Sequence, residues 1–510
     1  MTSDPNSIAL SLVSHTNAGK TTLARTLLGR DVGLVRDAPH VTEFADVFTL
    51  LQTPQGEQLK LWDTPGFGDS VRLVKRLQAS GHPLMNPLGW FMSEVWDRWR
   101  DRAFWASQQA MRNVRDEADV LLYLVNASET PEAAGYVNPE MELLGWTGKP
   151  VIVLLNQLGA PREGRLEAQE IALWQTHLAR FKHVKNVLPL DAFARCWVQE
   201  GTLLQEIENV LPAERQAMMT RLRSAWQNDK LRTFDAAMKS LASSVARLAT
   251  ATQALPEAGG VRARLKQLGA SVGLGLGVGS ADQTPSAVAQ RALAEQLDLE
   301  VRANTLELIQ LHGLEGQAQG EILTRLATHF ELRLRMDEGK AALWGGMVSG
   351  ALAGLKADLA TGGLTLGGGL LAGGVLGALT AAGTAHGVNR IRGLDQPLVA
   401  WDERVLNALL SAALLGYLAV AHHGRGRGAW VQQDPPSAWT EAVAGVVAEH
   451  QDAIDELWPL RQRALTGRAF GAADQTPLQN LLQGLLCELS AELLARLYPD
   501  APPIKHAARG

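Results

Sequence analysis

SIALSLVSHTNAGKTTLARTLL, residues Ser7 to Leu28, is the stretch around which the first 210 residues are organised. The apolar run from Ile8 to Val13 leads into Ser14-His15-Thr16-Asn17-Ala18-Gly19-Lys20-Thr21, and an amphipathic segment follows at once. This predicts a strand, a loop and a helix in that order, the context in which a loop of this spacing binds phosphate. The backbone from His15 to Gly19, continuing through Lys20, Thr21 and Thr22, is expected to wrap phosphate oxygens, with Gly19 allowing close approach. Lys20 supplies a point charge for the β- and γ-phosphates, and the Thr21 hydroxyl is a candidate Mg²⁺ ligand at the positive end of the following helix. Ser14 stands where the usual pattern begins with glycine, a replacement that requires an ordinary φ at that position.

Downstream, Arg30 to Glu43 is rich in turn formers and charges, and Thr42 is a candidate second Mg²⁺ ligand from a loop that responds to the γ-phosphate. Phe44 to Gln52 and Gln58 to Trp62 read as strands joined by the turn Thr53-Pro54-Gln55-Gly56. The second run ends in Asp63-Thr64-Pro65-Gly66, where an aspartate is suited to Mg²⁺ and a glycine N–H to the γ-phosphate. Asp119 to Val125 and Pro150 to Leu155 read as buried strands with a helix over Pro139 to Trp146 between them, which predicts a parallel sheet covered by helices.

At 510 residues the chain is too long for one core. Its 48 Lys+Arg against 53 Asp+Glu leave a net charge of −5, so no global basic field recruits nucleic acid, and none is expected as a partner. Two cysteines, Cys196 and Cys487, make neither a disulfide framework nor a zinc site, which fits a reducing cytoplasm. The start, MTSDPNS, lacks the pattern of a secretory signal.

The loop Ser14–Thr22, Thr42 and the Asp63–Gly66 segment together resemble the Era/TrmE-like branch of small GTPases, and the layout resembles bacterial proteins that join such a domain to a long C-terminal domain of unknown function. The resemblance implies an α/β P-loop GTPase domain over 1–210, a mostly parallel sheet with helices on both faces, that uses GTP/GDP and Mg²⁺. It further implies that Asn17 holds a K⁺ ion, as in potassium-stimulated members, and that Phe67 stands where Ras-like enzymes place a water-orienting glutamine. Asp69 is then a candidate for positioning water. The family's base-specificity motif appears as Asn156-Gln157-Leu158-Gly159, with no side chain at Gly159 to accept from guanine, and Asp191 and Ala192 correspond to its Ser-Ala loop.

An aromatic-rich helical insertion is expected near 75–115, where Trp90, Phe91, Trp96, Trp99, Phe104 and Trp105 lie among charges of both signs. Core packing and contact with a partner or a membrane surface both fit that pattern. Residues 211–510 are expected to form a mainly α-helical domain, with helices over Ala213 to Ala254 and Ser286 to Lys340. Gly-rich apolar segments fall near 268–280, 341–387 and 405–421. In the first two, glycines recur four apart, at 269/273/277, 346/350/354 and 369/373/377, making smooth helical stripes. The uncharged run Leu359 to Ala385 would reach about 40 Å as a helix, enough for a bilayer core of about 30 Å. A membrane-inserting hairpin anchored by Arg390 and Arg392, and Gly/Ala helices packed within a soluble domain, both satisfy the pattern. The expected function is therefore slow, Mg²⁺-dependent GTP hydrolysis that switches a helical domain able to self-associate or to meet membrane lipid at the cytoplasmic face. The alternatives are a nucleotide-dependent membrane-remodelling scaffold with little turnover, and an ATPase.

Overall fold

The computed structural model describes residues 4–29, 45–79, 102–157, 164–190, 196–254, 285–314, 388–391, 398–401, 404–422, 437–469 and 475–504. Two compact units emerge, one built on Met1–Leu231 and the other on Arg232–Ala421 and Trp439–Pro499.

The first unit holds a six-stranded sheet: β1 (Ser7–Ser14), β2 (Asp46–Gln52), β3 (Gln58–Asp63), β4 (Val120–Asn126), β5 (Val151–Asn156) and β6 (Val184–Pro189). Their order is β2-β3-β1-β4-β5-β6, parallel throughout except that β2 runs antiparallel to β3. Every residue of β1 and β5 is buried, as expected of strands covered on both faces. Alternation divides β1, β4 and β5 between two cores. Leu121, Tyr123 and Val125 of β4 join Phe104, Met111, Met141, Leu144 and Trp174 on one face. Val120, Leu122 and Leu124 join Leu23, Leu204, Ile207, Leu222 and Trp226 on the other.

The covering helices are α1 (Lys20–Leu28), α2 (Ser70–Ala79), α3 (Arg102–Asp116), α4 (Val137–Gly145), α5 (Gly164–Leu178) and α6 (Trp197–Val210). Of the aromatic insertion, Phe104 is in the core and Trp105 packs against it, while residues 80–101 lie outside the described residues. Helix α7 (Ala213–Ala249) continues the chain, and within the first unit Arg215 pairs with Asp119 at 2.6 Å and donates to the Ser7 carbonyl.

The second unit is helix-rich, with α8 (Pro285–Leu311), α9 (Arg404–Ala421), α10 (Ser437–Glu449), α11 (Gln451–Asp455), α12 (Leu457–Ala469) and α13 (Thr476–Leu497). It also contains a feature the sequence did not suggest, a small antiparallel sheet in the order β7 (Thr252–Ala254), β9 (Leu398–Trp401), β8 (Val388–Ile391). Arg390 therefore sits in a strand, and Arg392 lies outside the described residues. The expected helix to Ala254 stops at Ala249, where the Arg461 side chain donates to the Ala249 and Trp401 carbonyls at 2.8 and 2.5 Å.

The apolar stretch near 405–421 is α9, and Leu410, Leu414, Tyr417 and Leu418 bury it in this unit's core, with Tyr417 edge-on to Phe234. No helix among the described residues is long and apolar enough to cross a membrane. The Gly-rich segments near 268–280 and 341–387 lie outside the described residues.

Candidate functional site

The loop between β1 and α1 is shaped by two residues in left-handed conformation, Asn17 at φ 66° and Gly19 at φ 92°. Asparagine and glycine are the types that adopt this region at least cost. A side chain at Gly19 would place its Cβ 2.7 Å from Asn156 Nδ2, so only glycine fits. Helix α1 begins at Lys20 with no side-chain cap, which leaves its first-turn N–H groups and positive end at the loop.

Lys20 is 7% exposed, and burial brings its ammonium down to about 8 despite the attraction of Asp63 and Glu140. Its Nζ donates to Ser14 Oγ at 2.9 Å and reaches the His15 carbonyl at 3.5 Å. Ser14, the departure from the glycine pattern, thus closes β1 and gives the lysine an acceptor; its hydroxyl also donates to the His15 carbonyl at 2.5 Å.

Thr21 Oγ1 donates to Asp63 Oδ2 at 2.6 Å, so the two candidate metal ligands meet. Asp63 Oδ1 is buried without a hydrogen-bond partner, and burial pushes the carboxyl up to about 6. A buried carboxylate oxygen lacking a donor beside a hydroxyl is the hard-oxygen donor set that suits Mg²⁺, so these residues fit the ion.

The segment after Asp63 is paired with the loop itself. Phe67 N–H donates to the Ser14 carbonyl at 2.9 Å and Thr16 N–H to the Phe67 carbonyl at 3.1 Å, making an isolated parallel bridge between His15 and Phe67. Thr16 N–H, expected at phosphate, is thereby occupied. Gly66 lies so close that a Cβ would fall 2.9 Å from Thr16 Cα and 3.1 Å from Lys20 Nζ. Phe67 is fully buried in the core. Asp69 is exposed and caps α2, its carboxylate accepting from Arg72 N–H at 3.1 Å.

Asn156, at the end of β5, is fully buried and donates from Nδ2 to the Ala18 carbonyl at 2.9 Å, tying the base-side strand to the phosphate loop. Gln157 follows at φ 60°. Leu190 N–H donates to the Leu155 carbonyl at 3.0 Å, which brings the start of the 190–192 segment beside β5. Thr42, Gly159, Asp191 and Ala192 lie outside the described residues.

A cluster that sequence reasoning missed lies against the loop. Glu140 of α4 is fully buried; its Oε1 is 2.7 Å from His15 Nδ1, and its Oε2 accepts from Tyr123 OH at 2.6 Å. The His15 ring stacks on Tyr136 at 4.4 Å. Burial pushes the Glu140 carboxyl up from its usual range, while His15 and Tyr123 act in the opposite direction. The signal was present, because Glu140 is three residues after Val137 and four before Leu144, on the buried stripe of its helix.

Residues 9–157 match a family model described as a 50S ribosome-binding GTPase, and residues 331–479 match a domain of unknown function, DUF3482. A comparison with curated proteins finds no match. Among solved structures, the chain is similar to Era in complex with MgGDPNP and a piece of 16S ribosomal RNA, at 18% identity, with 41% of this chain and 57% of that one covered and a TM-score of 0.30. A variant of Aquifex aeolicus Era bound to GDP and aluminium fluoride is similar at 18% identity over the same shares, with a TM-score of 0.29. A bacterial selenocysteine-specific elongation factor is similar at 15% identity, 40% of this chain, 28% of that one and a TM-score of 0.25. The chain thus spans a little over half the length of the Era structures. Residues 9–157 form a P-loop GTPase domain of the family that the first model describes, joined in one polypeptide to a C-terminal domain of unknown function.

Proposed function

We propose that this chain is a Mg²⁺-dependent GTPase whose nucleotide state switches its C-terminal half. The observation that carries the reading is the buried, unpartnered Asp63 Oδ1 beside the Thr21 hydroxyl, at the foot of a loop that presents Lys20 and an uncapped helix start. Thr21 and Asp63 hold the metal, and Thr42 joins them when the γ-phosphate is present. Bound there, Mg²⁺ neutralises charge on the phosphate oxygens. Lys20 exchanges its contacts with Ser14 and His15 for phosphate, and Gly66 offers its N–H to the γ-phosphate.

Turnover is slow, because Phe67 is buried and orients no water, and the Asp69 carboxylate is engaged in capping α2. Asn17 lends its side chain to a K⁺ ion that supplies part of the missing charge stabilisation. Base selection rests on Gln157, Asp191 and Ala192, with Asn156 securing the loop. Since Gly159 offers no carboxylate, adenine use is the second reading, decided by competition of GTP and ATP for one labelled nucleotide.

The principal test compares the parent with Lys20→Ala for nucleotide binding and phosphate release, and like behaviour of the two proteins would sink the proposal. Replacing K⁺ by Na⁺ slows hydrolysis if Asn17 acts as described, and equal rates remove that role. The Gly-rich segments are proposed to give the second half lipid contact or self-association, read by sedimentation with liposomes with and without a GTP analogue. Sedimentation that ignores nucleotide would separate the second half from the switch.

A further inference from the structure

The cluster of His15, Glu140, Tyr123 and Tyr136 has no part in the chemistry described above, yet it packs against the phosphate loop, with Glu140 and Tyr123 fully buried and His15 and Tyr136 partly so. Its members come from three places: the loop itself, the central strand β4, and the start of α4. Glu140 has both oxygens engaged, one at His15 and one at Tyr123, at 2.7 and 2.6 Å. Tyr136 holds the opposite constraint, a ring stacked on the imidazole with an interplanar angle of 20°. A histidine fixed by one hydrogen bond and one stacked face has little rotational freedom left.

His15 is also where the two halves of the site are stitched together. Its main chain bridges to Phe67, its neighbour Thr16 donates to the Phe67 carbonyl, and its own carbonyl accepts from Ser14 and Lys20. Gly66 precedes Phe67 and lies against Thr16 and Lys20 at distances that admit no Cβ. Whatever holds the residue 15 backbone therefore holds Gly66 in place.

We infer that Glu140 is a positioning residue: with Tyr123 and Tyr136 it fixes the His15 ring, and through the His15–Phe67 bridge it seats Gly66 for recognition of a nucleoside triphosphate over the diphosphate. The inference rests on the GTPase reading of the site. It deepens that reading by naming the device on which discrimination of the γ-phosphate depends. Glu140 bonds His15 and Tyr123, and on Lys20 it exerts only the weaker of two attractions, so diphosphate binding through Lys20 and α1 is largely spared when the clamp is cut.

The test uses the full chain and measures affinity for GDP and for a non-hydrolysable GTP analogue in the parent, Glu140→Ala, Glu140→Gln and Tyr123→Phe, with Lys20→Ala as control. Glu140→Ala leaves His15 and the Tyr123 hydroxyl without their shared acceptor, and analogue affinity falls about tenfold or more while GDP affinity stays within about twofold. Glu140→Gln keeps an acceptor for His15 and a second group for Tyr123, and restores the analogue to within about threefold of the parent. Tyr123→Phe removes one hydroxyl and leaves the ring packing; it gives an intermediate loss, and it decides the question if circular dichroism shows Glu140→Ala to be unfolded. Parallel losses for both nucleotides, no loss for either, or failure of glutamine to rescue overturns the positioning role while leaving the GTPase reading intact. A parent that binds neither nucleotide, indistinguishable from Lys20→Ala, overturns both.

Discussion

Replacing Lys20 by methionine should stabilise the nucleotide-free protein while abolishing its grip on phosphate. The lysine is 7% exposed, and burial lowers its ammonium from 10.5 to about 8 even with Asp63 and Glu140 pulling the other way. The gap, 10.5 less about 8, is about 2.5 pH units, and at about 1.36 kcal/mol per unit it amounts to about 3 kcal/mol. The unfolded chain keeps this proton up to pH 10.5 and the native protein only to about 8, so between those values the unfolded state binds more protons and stability rises with pH. Below about pH 8 the full cost is present. Methionine fills the space of the lysine stem without the charge, so at pH 7 the variant regains up to about 3 kcal/mol, at about 2–4 °C of melting temperature for each kcal/mol.

Scanning calorimetry of both proteins without nucleotide, from about pH 7 to about pH 10, reads the effect directly. The parent's transition climbs with pH, the variant's lacks this rise, and the gap between them narrows. A variant that melts below the parent at pH 7, or keeps the parent's slope, refutes the reasoning. Phosphate in the loop keeps the lysine protonated, so the parent's nucleotide affinity falls by up to about tenfold for each pH unit above about 8.

The remaining predictions concern single contacts. Asn156→Ala deletes the buried bond to the Ala18 carbonyl and should cost about 1–3 kcal/mol in denaturant unfolding together with weaker nucleotide binding. An unchanged midpoint and affinity would show that the loop holds itself. Asp63→Asn should remove the extra thermal stability that Mg²⁺ gives the GDP-bound parent, and an undiminished Mg²⁺ shift would place the ion elsewhere. Arg461→Met, which strips the donors from the Ala249 and Trp401 carbonyls, should destabilise the second unit by about 2–4 kcal/mol, seen as faster amide exchange at Thr252–Ala254.

The parts of the fold that were legible were those whose local pattern has one physical solution. β1, β4 and β5 are short runs of aliphatic residues between turn formers, and both sheet faces around them are covered, so an unbroken apolar run is what burial demands. β6 escaped notice because an edge strand needs no such run: VKNVLP carries Lys185 and Asn186, and only Val187 is deeply buried. The small sheet of the second unit pairs Thr252–Ala254 with Leu398–Trp401, and three or four residues this far apart in sequence leave no periodicity to read.

In the site, the meeting of Thr21 with Asp63 was legible because each belongs to a motif. Glu140 went unremarked because no motif points to it, although its position among Val137, Met141 and Leu144 put it inside. A carboxylate on an apolar stripe is the kind of exception worth following, since it persists only where partners satisfy it.

Asn156 has a consequence for how this site can change. Its side chain serves the phosphate loop by holding the Ala18 carbonyl, and Gly19 leaves room for it. If Gln157 and its neighbours select the base as proposed, the grip on phosphate and the choice of base are separable tasks carried by adjacent residues. Substitutions at 157–159 would then retune which purine is accepted while the loop stays anchored. A loop secured independently of its selectivity would be a natural starting point for re-engineering the site to a different nucleotide.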